Sequence, residues 1–496
     1  MVAVVLVMVA LAVGPEGDWA EGALAAARLA PQAPEPPAGP LPWLHVRHPA
    51  HAAPFIADAS GRRVTMRGVV AAGLVDYWSG ADRSDLRPAP HWPIDPAAYA
   101  NGACPANDTR IWVPPLCQSD LVEMHQLRVQ LLRLAVSWSL LEPQPGRYSA
   151  PYLDRIAQVV GWATEQRIYV LIDMHQNAYS RYIGRADPRH LPLPDGAAVA
   201  LNDHDGAPAW ATFTDGLPSE KFAGQREVNP AVFEATTNFW LDRAGVQDRY
   251  IRAVAQVARR FKDNSTVIGY SVYNEPWPGW APPPLFEDAL LFPFYRRLID
   301  ALTGARDGIS CPSGLPYLPV CGYPDLGVHA THQLYFVEPG LVREVTDFPT
   351  HVSVPLTSYP NVVLALHAYT HIYTFDRILL GADPRTSTSP SFDQSYWWGE
   401  VEARALDAAL FVSEYGDDPA DDSRLLASQV AEQQAHRVGA TFWLWKQNCG
   451  SGPWGLYDGV VAAGGPCAYD LRTADPDPRP QNGRLRADRA RLVLGP

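Results

Sequence analysis

VIGYSVYNEPWPG (residues 267–279) is the stretch on which the reading of this chain turns. Val267, Ile268, Tyr270, Val272 and Tyr273 make a mostly apolar, β-rich run, the pattern of a buried parallel strand. The run stops on a polar pair, Asn274-Glu275, and is broken by Pro276, Pro278 and Gly279. An acid at the carboxyl tip of a buried strand, with an amide before it and a proline after it, stands where a (β/α)8 barrel keeps its catalysts. The plainer reading is a strand-end carboxylate capping the next helix, and the rest of the chain has to decide.

Seven further apolar runs surround this one. Upstream are Arg63–Val70, Val129–Leu134 and Ile168–Asp173; downstream are Gln333–Glu338, Val362–Leu366, Ala409–Ser413 and Ala440–Trp445. Helix-period segments lie between most of them: Ser119–Leu127 with Ser119 as its cap, Pro151–Gln166, one helix over 230–261, another over 285–304, and Arg424–His436. Eight strands alternating with helices predict an α/β fold, a (β/α)8 TIM barrel, rather than a sandwich or an open sheet. Long loops at 76–117 and 184–228 are expected on the carboxyl face as lids or binding walls.

The 496 residues suit one barrel with long loops, since a barrel of about 250 residues can exceed 400 with insertions. Residues 1–13, MVAVVLVMVALAV, are too short for a bilayer span but are similar to the apolar part of a signal peptide, without its basic leading region. With the Ala/Pro-rich, disordered lead-in they make a segment over 1–42. The catalytic domain is expected over 43–475 and a peripheral tail over 476–496. A net charge of −13 and the absence of a basic run exclude a nucleic-acid partner from the reading. The six cysteines fall as three close couples in Pro/Gly-rich loops: Cys104 with Cys117, Cys311 with Cys321, and Cys449 with Cys467. Local disulfides are the favoured reading, and they imply an oxidising, secreted or extracytoplasmic setting.

Polar residues crowd the carboxyl tips of the strands: Arg133, His175, Asn274, Glu275, His367, Tyr369, Glu414 and Trp445. Glu275 and Glu414 end strands four and seven, across the barrel mouth from each other. Two facing carboxyls are what cleavage of a glycosidic bond requires, one protonating the leaving oxygen and the other meeting the developing oxocarbenium ion. Their separation, which decides between retention and inversion, cannot be read from a sequence. Asp173-Met174-His175 has the look of metal ligands, but no further cluster is found to complete a set, and His204 with Asp203 and Asp205 is read as solvent-facing. No metal and no cofactor are expected.

RLAVSWS, DMHQ, YNEPWPG, HAY, SEYG and WLW, in this order, resemble glycoside hydrolase family five, and LIDMHQNAYSRYI, DGAPAWAT and VYNEPWPG resemble its endoglycoceramidase-like branch, over roughly residues 60–450. The resemblance implies a retaining, metal-free β-glycosidase with Glu275 as acid/base and Glu414 as nucleophile. It implies that Asn274 meets the sugar 2-OH, Arg133 holds Glu414 ionised, and Tyr369 donates to the nucleophile. His367 would set the proton environment of the acid/base, His175 would contact sugar hydroxyls, and Trp445 would floor the sugar pocket, with Trp443 competing for that place.

The chain departs from the branch at Asn177, where the usual motif reads DMHQD, and at strand one, where a sugar-contacting lysine is absent near Asp76-Tyr77-Trp78. Asn177 is accordingly a substrate-binding position whose headgroup preference has shifted. A C-terminal β-sandwich is common in the family, and the chain ends at Pro496, too soon for a complete one. The expected substrate is a glycosphingolipid or related β-glucoside, with transient contact to membrane lipid. Tyr77, Trp78, Trp92, Trp210, Phe213, Trp277, Trp280 and Phe286 are candidates to shelter a lipid aglycone. The alternatives are an endoglucanase or exo-β-glucosidase of the same family, or a catalytically silent glycan- or lipid-binding protein.

Overall fold

Eight parallel strands close on one another in chain order: β1 (Arg67–Ala71), β2 (Leu131–Val136), β3 (Tyr169–Met174), β4 (Val267–Ser271), β5 (Leu334–Val337), β6 (Val362–Ala368), β7 (Ala409–Tyr415) and β8 (Gly439–Phe442). Closure sets Ala440 of β8 beside Arg67 of β1 and Phe442 beside Val69. The (β/α)8 barrel expected from the alternating runs is the fold of this computed structural model. It describes residues 40–75, 92–102, 104–105, 113–183, 206–219, 227–305, 324–346, 349–353, 355–369, 392–416 and 423–447, with short pieces at 455–458, 460–461, 467–468, 484–485 and 487–495.

Strand contacts are tight enough to dictate two residues. A Cβ on Gly68 or Gly269 would lie 2.1 Å from the carbonyl oxygen of Leu131 or Leu334 on the neighbouring strand, so only glycine fits at either place. Inside the barrel, Met66, Leu131, Leu171, Ile268, Leu334, Phe336, Val363 and Phe411 pack at the amino-terminal end. The antiparallel pair His45–Arg47 and Phe55–Ala57 brings Val46 and Ile56 into the same cluster and stoppers that end. Catalytic groups are left to the opposite mouth.

The helices are α1 (Gln118–Gln126), α2 (Ala150–Glu165), α3 (Pro230–Trp240), α4 (Val246–Phe261), α5 (Phe292–Thr303), α6 (Leu341–Thr346), α7 (Phe392–Leu406), α8 (Ser423–Ala435) and α9 (Ala487–Leu494). Three expectations are corrected. The single helix over 230–261 is two, because Asp242, Ala244 and Gly245 take positive φ between them; Asp242 Oδ1 then accepts from the backbone N–H of Gln247 at 2.8 Å and caps α4. Cys117, not Ser119, caps α1, with Asp120 reaching back to the Cys117 N–H at 2.7 Å. The tail is not wholly peripheral, since Ala490 and Val493 of α9 are buried and Arg489 lies over the Phe442 ring.

Cys104 and Cys117 form the expected disulfide, with Cα atoms 5.4 Å apart. Cys311, Cys321 and Cys449 lie outside the described residues, as do residues 1–39, Tyr77, Trp78, Asp203, His204 and Asp205. Of the long loop expected over 184–228, the stretch 206–219 is described; Trp210 Nε1 donates to the Glu142 carbonyl at 3.1 Å, laying it against the segment after β2. Among the described residues no helix is long and apolar enough to cross a membrane.

Candidate active site

Alternation along β2 turns Leu131 into the barrel floor and Arg133, two residues on, into the space above it. The Arg133 guanidinium is fully buried and binds in several directions. Nη1 pairs with Glu414 Oε1, while Nη2 reaches Asn274 Oδ1 at 2.8 Å and Glu338 Oε1 and Asp173 Oδ1 at 3.0 Å each. Burial works against its charge, but Asp173, Glu414 and Glu338 raise its proton affinity above the ordinary value. Burial likewise pushes Asp173 up, and Arg133 and His175 more than offset it, leaving that carboxyl below its usual range.

Glu414, on β7, is held from both sides. Arg133 takes one oxygen, and the Tyr369 hydroxyl donates to Oε2 at 3.0 Å. Burial still raises its proton affinity above the usual carboxylate range, with His367 and Arg133 pulling the other way. The expectation that Arg133 holds this group ionised is therefore corrected in degree: the guanidinium opposes the cost of burial without cancelling it.

Glu275 follows β4 with φ of 43°, a left-handed conformation that costs a non-glycine residue about 1–3 kcal/mol and persists only when its surroundings over-determine it. Those surroundings are visible. The Glu275 N–H donates to Glu338 Oε2 at 2.7 Å, and its carbonyl accepts from Gln176 Nε2 at 3.3 Å. The side chain, 16% exposed, then faces the mouth. Oε1 lies 3.0 Å from His367 Nδ1, and Oε2 accepts from Asn177 Nδ2 at 3.4 Å. Burial disfavours a charged His367, yet Glu338, Glu344 and Glu414 with the Glu275 hydrogen bond raise its proton affinity well above the ordinary imidazole value. One carboxylate oxygen of Glu275, one of Glu414 and a ring nitrogen of His367 lie within 4.8 Å of one another.

A family model described as cellulase, glycosyl hydrolase family 5, matches residues 97–302. This stretch is similar to glycoside hydrolase family five, the family its motifs resemble. The crystal structure of an endogalactoceramidase superposes on this chain with a TM-score of 0.68 and 27% identity, covering 92% of this chain and 85% of that one. Endoglycoceramidase I of Rhodococcus hoagii (strain 103S) is 23% identical over 63% of this chain and 56% of its own length. An endoglycoceramidase of Cyanea nozakii is 28% identical over 32% of this chain and 33% of its own. The chain thus spans between a third and a little over half of these two curated relatives. The motif resemblance to the endoglycoceramidase-like branch is found again in these matches.

Among the remaining expected site residues, His175 is buried with Nδ1 2.8 Å from Asp173 Oδ2, and its ring stacks on Trp443 at 5.5 Å and 12°. Asn274 is buried, its amide oriented by Arg133 on Oδ1 and by donation to the Gln176 carbonyl at 2.8 Å; an amide nitrogen carries two hydrogens, so one is left for a sugar hydroxyl. The burial of Trp445 does not suit the sugar floor expected of it, and favours Trp443 for that place. Trp445 is 0% exposed, with Nε1 donating to Asp120 Oδ1 at 2.8 Å beneath the mouth, whereas Trp443 is 8% exposed and stacked on His175. The physical reason is that β8 ends at Phe442, so strand alternation does not carry through to 445. Asn177 contacts the acid/base candidate itself, a nearer role than the sugar contact expected of it.

Three residues of the mouth were not singled out by sequence. Glu338 binds Arg133, Ser271 Oγ (3.0 Å) and the Glu275 N–H. Its signal was present, because FVEPG (336–340) repeats the grammar of YNEPWPG: an apolar run, an acid, then Pro and Gly. Asp173 was set aside with its metal-like motif. The expectation that nothing completes that set is corrected, since donor atoms of Asp173, His175 and Glu414 lie within 4.8 Å of one another; the Arg133 guanidinium already pairs with both carboxylates. Glu344 is the third.

Proposed function

We propose that this chain is a retaining β-glycosidase that releases the sugar headgroup of a glycosphingolipid or a related β-glycoside. The observation that carries the reading is the approach of Glu275 and Glu414, oxygens within 4.8 Å across the barrel mouth, which supports a pair at the roughly 5–5.5 Å of retaining enzymes over one at the roughly 6.5–9.5 Å of inverting enzymes. Glu414 attacks the anomeric carbon as the bond to the aglycone oxygen breaks and Glu275 gives that oxygen its proton. Water then attacks the same carbon, Glu275 takes its proton, and Glu414 leaves as a carboxylate. Tyr369 and Arg133 hold the nucleophile in line, and Trp443 offers an apolar face to the sugar.

The lipid part of the reading is supported by the endoglycoceramidase relatives and by the segment after Glu275, where Trp280 and Leu285 are both 51% exposed. Phe286 and Trp92, by contrast, are spent on internal packing. The Cys104–Cys117 disulfide supports the extracytoplasmic setting.

The test is kinetic. Glu275→Ala should still react with an aryl β-glycoside whose leaving group needs no proton, and stall on lactosyl- or glucosylceramide. Glu414→Ala should be inactive on both and regain activity, with inverted product, in azide. Rescue with inversion in the 275 variant would reverse the roles, and no turnover of any aryl glycoside or glycosphingolipid by the unmutated chain would favour a silent binding protein.

A further inference from the structure

Glu344 stands on α6, just beyond β5, and the scheme above gives it no part. Its neighbour Arg343 is turned outward, 3.1 Å from Glu402 Oε2 and donating to Ser395 Oγ at 3.1 Å, which clamps α6 to α7. Glu344 is thereby turned inward, with Oε2 3.6 Å from His367 Nδ1. The carboxyl is buried, and neither of its oxygens has a hydrogen-bond partner among the described residues. Leaving a buried polar group unpaired is costly, so a carboxyl kept in this state invites a partner that arrives during the reaction cycle. Burial first, and then the like charges of Glu275, Glu338 and Glu414, raise its proton affinity well above the usual range, while His367 opposes them.

Among the described residues, carboxyls face both ring nitrogens of His367. Nδ1 faces Glu275 Oε1 at 3.0 Å and both Glu344 Oε2 and Glu414 Oε2 at 3.6 Å; Nε2 faces Glu338 Oε2 at 3.4 Å. Behind these lie Arg133, Asp173 and His175. Of the near carboxyls, Glu414 is already bonded by Arg133 and Tyr369, and Glu338 by Arg133, Ser271 and the Glu275 N–H. A single Nδ1–H serves one acceptor at a time. A protonated Glu275 is a poor acceptor, and Glu344 is then the carboxyl within reach that has no other donor among the described residues.

We propose that Glu344 is a positioning residue for the acid/base: Glu275 and Glu344 are alternate acceptors of the His367 Nδ1 hydrogen and hold the last proton of the mouth between them. The inference rests on the retaining-glycosidase reading. In the first step the shared proton leaves through Glu275 with the aglycone oxygen, while Glu414 loses its charge to the glycosyl ester. The negative charge has moved from the nucleophile to the pair, and His367 donates to the ionised Glu275. In the second step water returns one proton to Glu275 and Glu414 regains its charge. Two interacting carboxyls titrate in separated steps, so the pair keeps one proton to higher pH than either carboxyl would alone.

The pH profile of kcat/KM on an aryl β-glycoside tests this with Glu344→Gln and Glu344→Asp. The glutamine variant should lose the alkaline limb about one pH unit earlier, the size expected when a like charge is removed, with the acid limb in place; the aspartate variant should keep the wild-type limb. A glutamine variant that is merely slower or less stable at every pH, its limb unmoved, refutes the proposal, as does an aspartate variant that shifts like glutamine. ¹⁵N-histidine NMR of the unmutated chain separates this from failure of the glycosidase reading. The His367 Nδ1 signal should move in two steps as pH rises, and a single step counts against the shared proton even if no glycoside is turned over.

Discussion

The amide of Asn177 donates to Glu275 Oε2 at 3.4 Å, on the oxygen opposite the one that faces His367. Position 177 therefore touches the proposed acid/base directly. Asn177→Asp, which restores the acid usual in the related motif, puts a like charge beside Glu275. The alkaline limb of kcat/KM should rise by about one pH unit, with the acid limb unchanged; a profile that superposes on wild type shows that position 177 does not influence the acid/base.

In the proposed scheme Glu414 attacks as a carboxylate, and burial sets its proton affinity above the usual carboxylate range. Activity is accordingly expected to fall, on acidification, at a pH above the ordinary Glu value of about 4.3. Tyr369→Phe removes the hydroxyl that donates to Oε2. A hydrogen bond to a charged group is worth roughly 1.5–3 kcal/mol, so kcat should drop about 10- to 150-fold and the acid limb should move further up. A drop in kcat with the acid limb fixed would mean that the phenol positions substrate rather than the nucleophile.

Arg133→Met strips the cation from Glu414, Asp173 and Glu338 while keeping most of the volume. Removing one partner of a buried ionic cluster costs about 3–5 kcal/mol, to be read from denaturant unfolding at neutral pH. Asp173 is depressed in the folded state by Arg133 and His175. Its contribution is therefore present above the unfolded value of about 3.9 and is lost as pH falls through the lower folded value. The gap between variant and wild type should narrow below about pH 4; a gap independent of pH would assign the loss to packing alone.

The two tryptophans should separate cleanly. Trp443→Ala is expected to raise KM or lower kcat/KM at least tenfold, on the scale of an aromatic face worth about 1.5 kcal/mol, with a modest change in melting temperature. Trp445→Ala removes a fully buried indole bonded to Asp120 and should cost about 3–5 kcal/mol of stability. Equal effects of the two substitutions on KM would restore Trp445 as the sugar floor.

Much of this site was legible because a polar residue closing an apolar strand is a local signal. Glu275, Glu414, His367 and Tyr369 each carry it, and the structure brings them together with Arg133, which was read as a strand tip but lies inside β2. Glu338 carries it too, in the same acid-Pro context as Glu275, and went unread. Trp445, expected at the sugar floor from the resemblance, is fully buried beyond the end of β8 at Phe442, while its rival Trp443 stacks on His175.

Pattern along the chain was enough for the barrel, its eight strands and the face that bears the chemistry, since burial periodicity and strand tips are properties of short windows. Contacts across the mouth are of another kind. Arg133 meets Glu414 only because β8 closes on β1 and curls distant tips into one ring. Glu344 becomes a member of that ring only because Arg343 is pinned to α7 on the far side of a six-residue helix. No window of sequence contains both ends of such a contact, so closure and packing had to supply it.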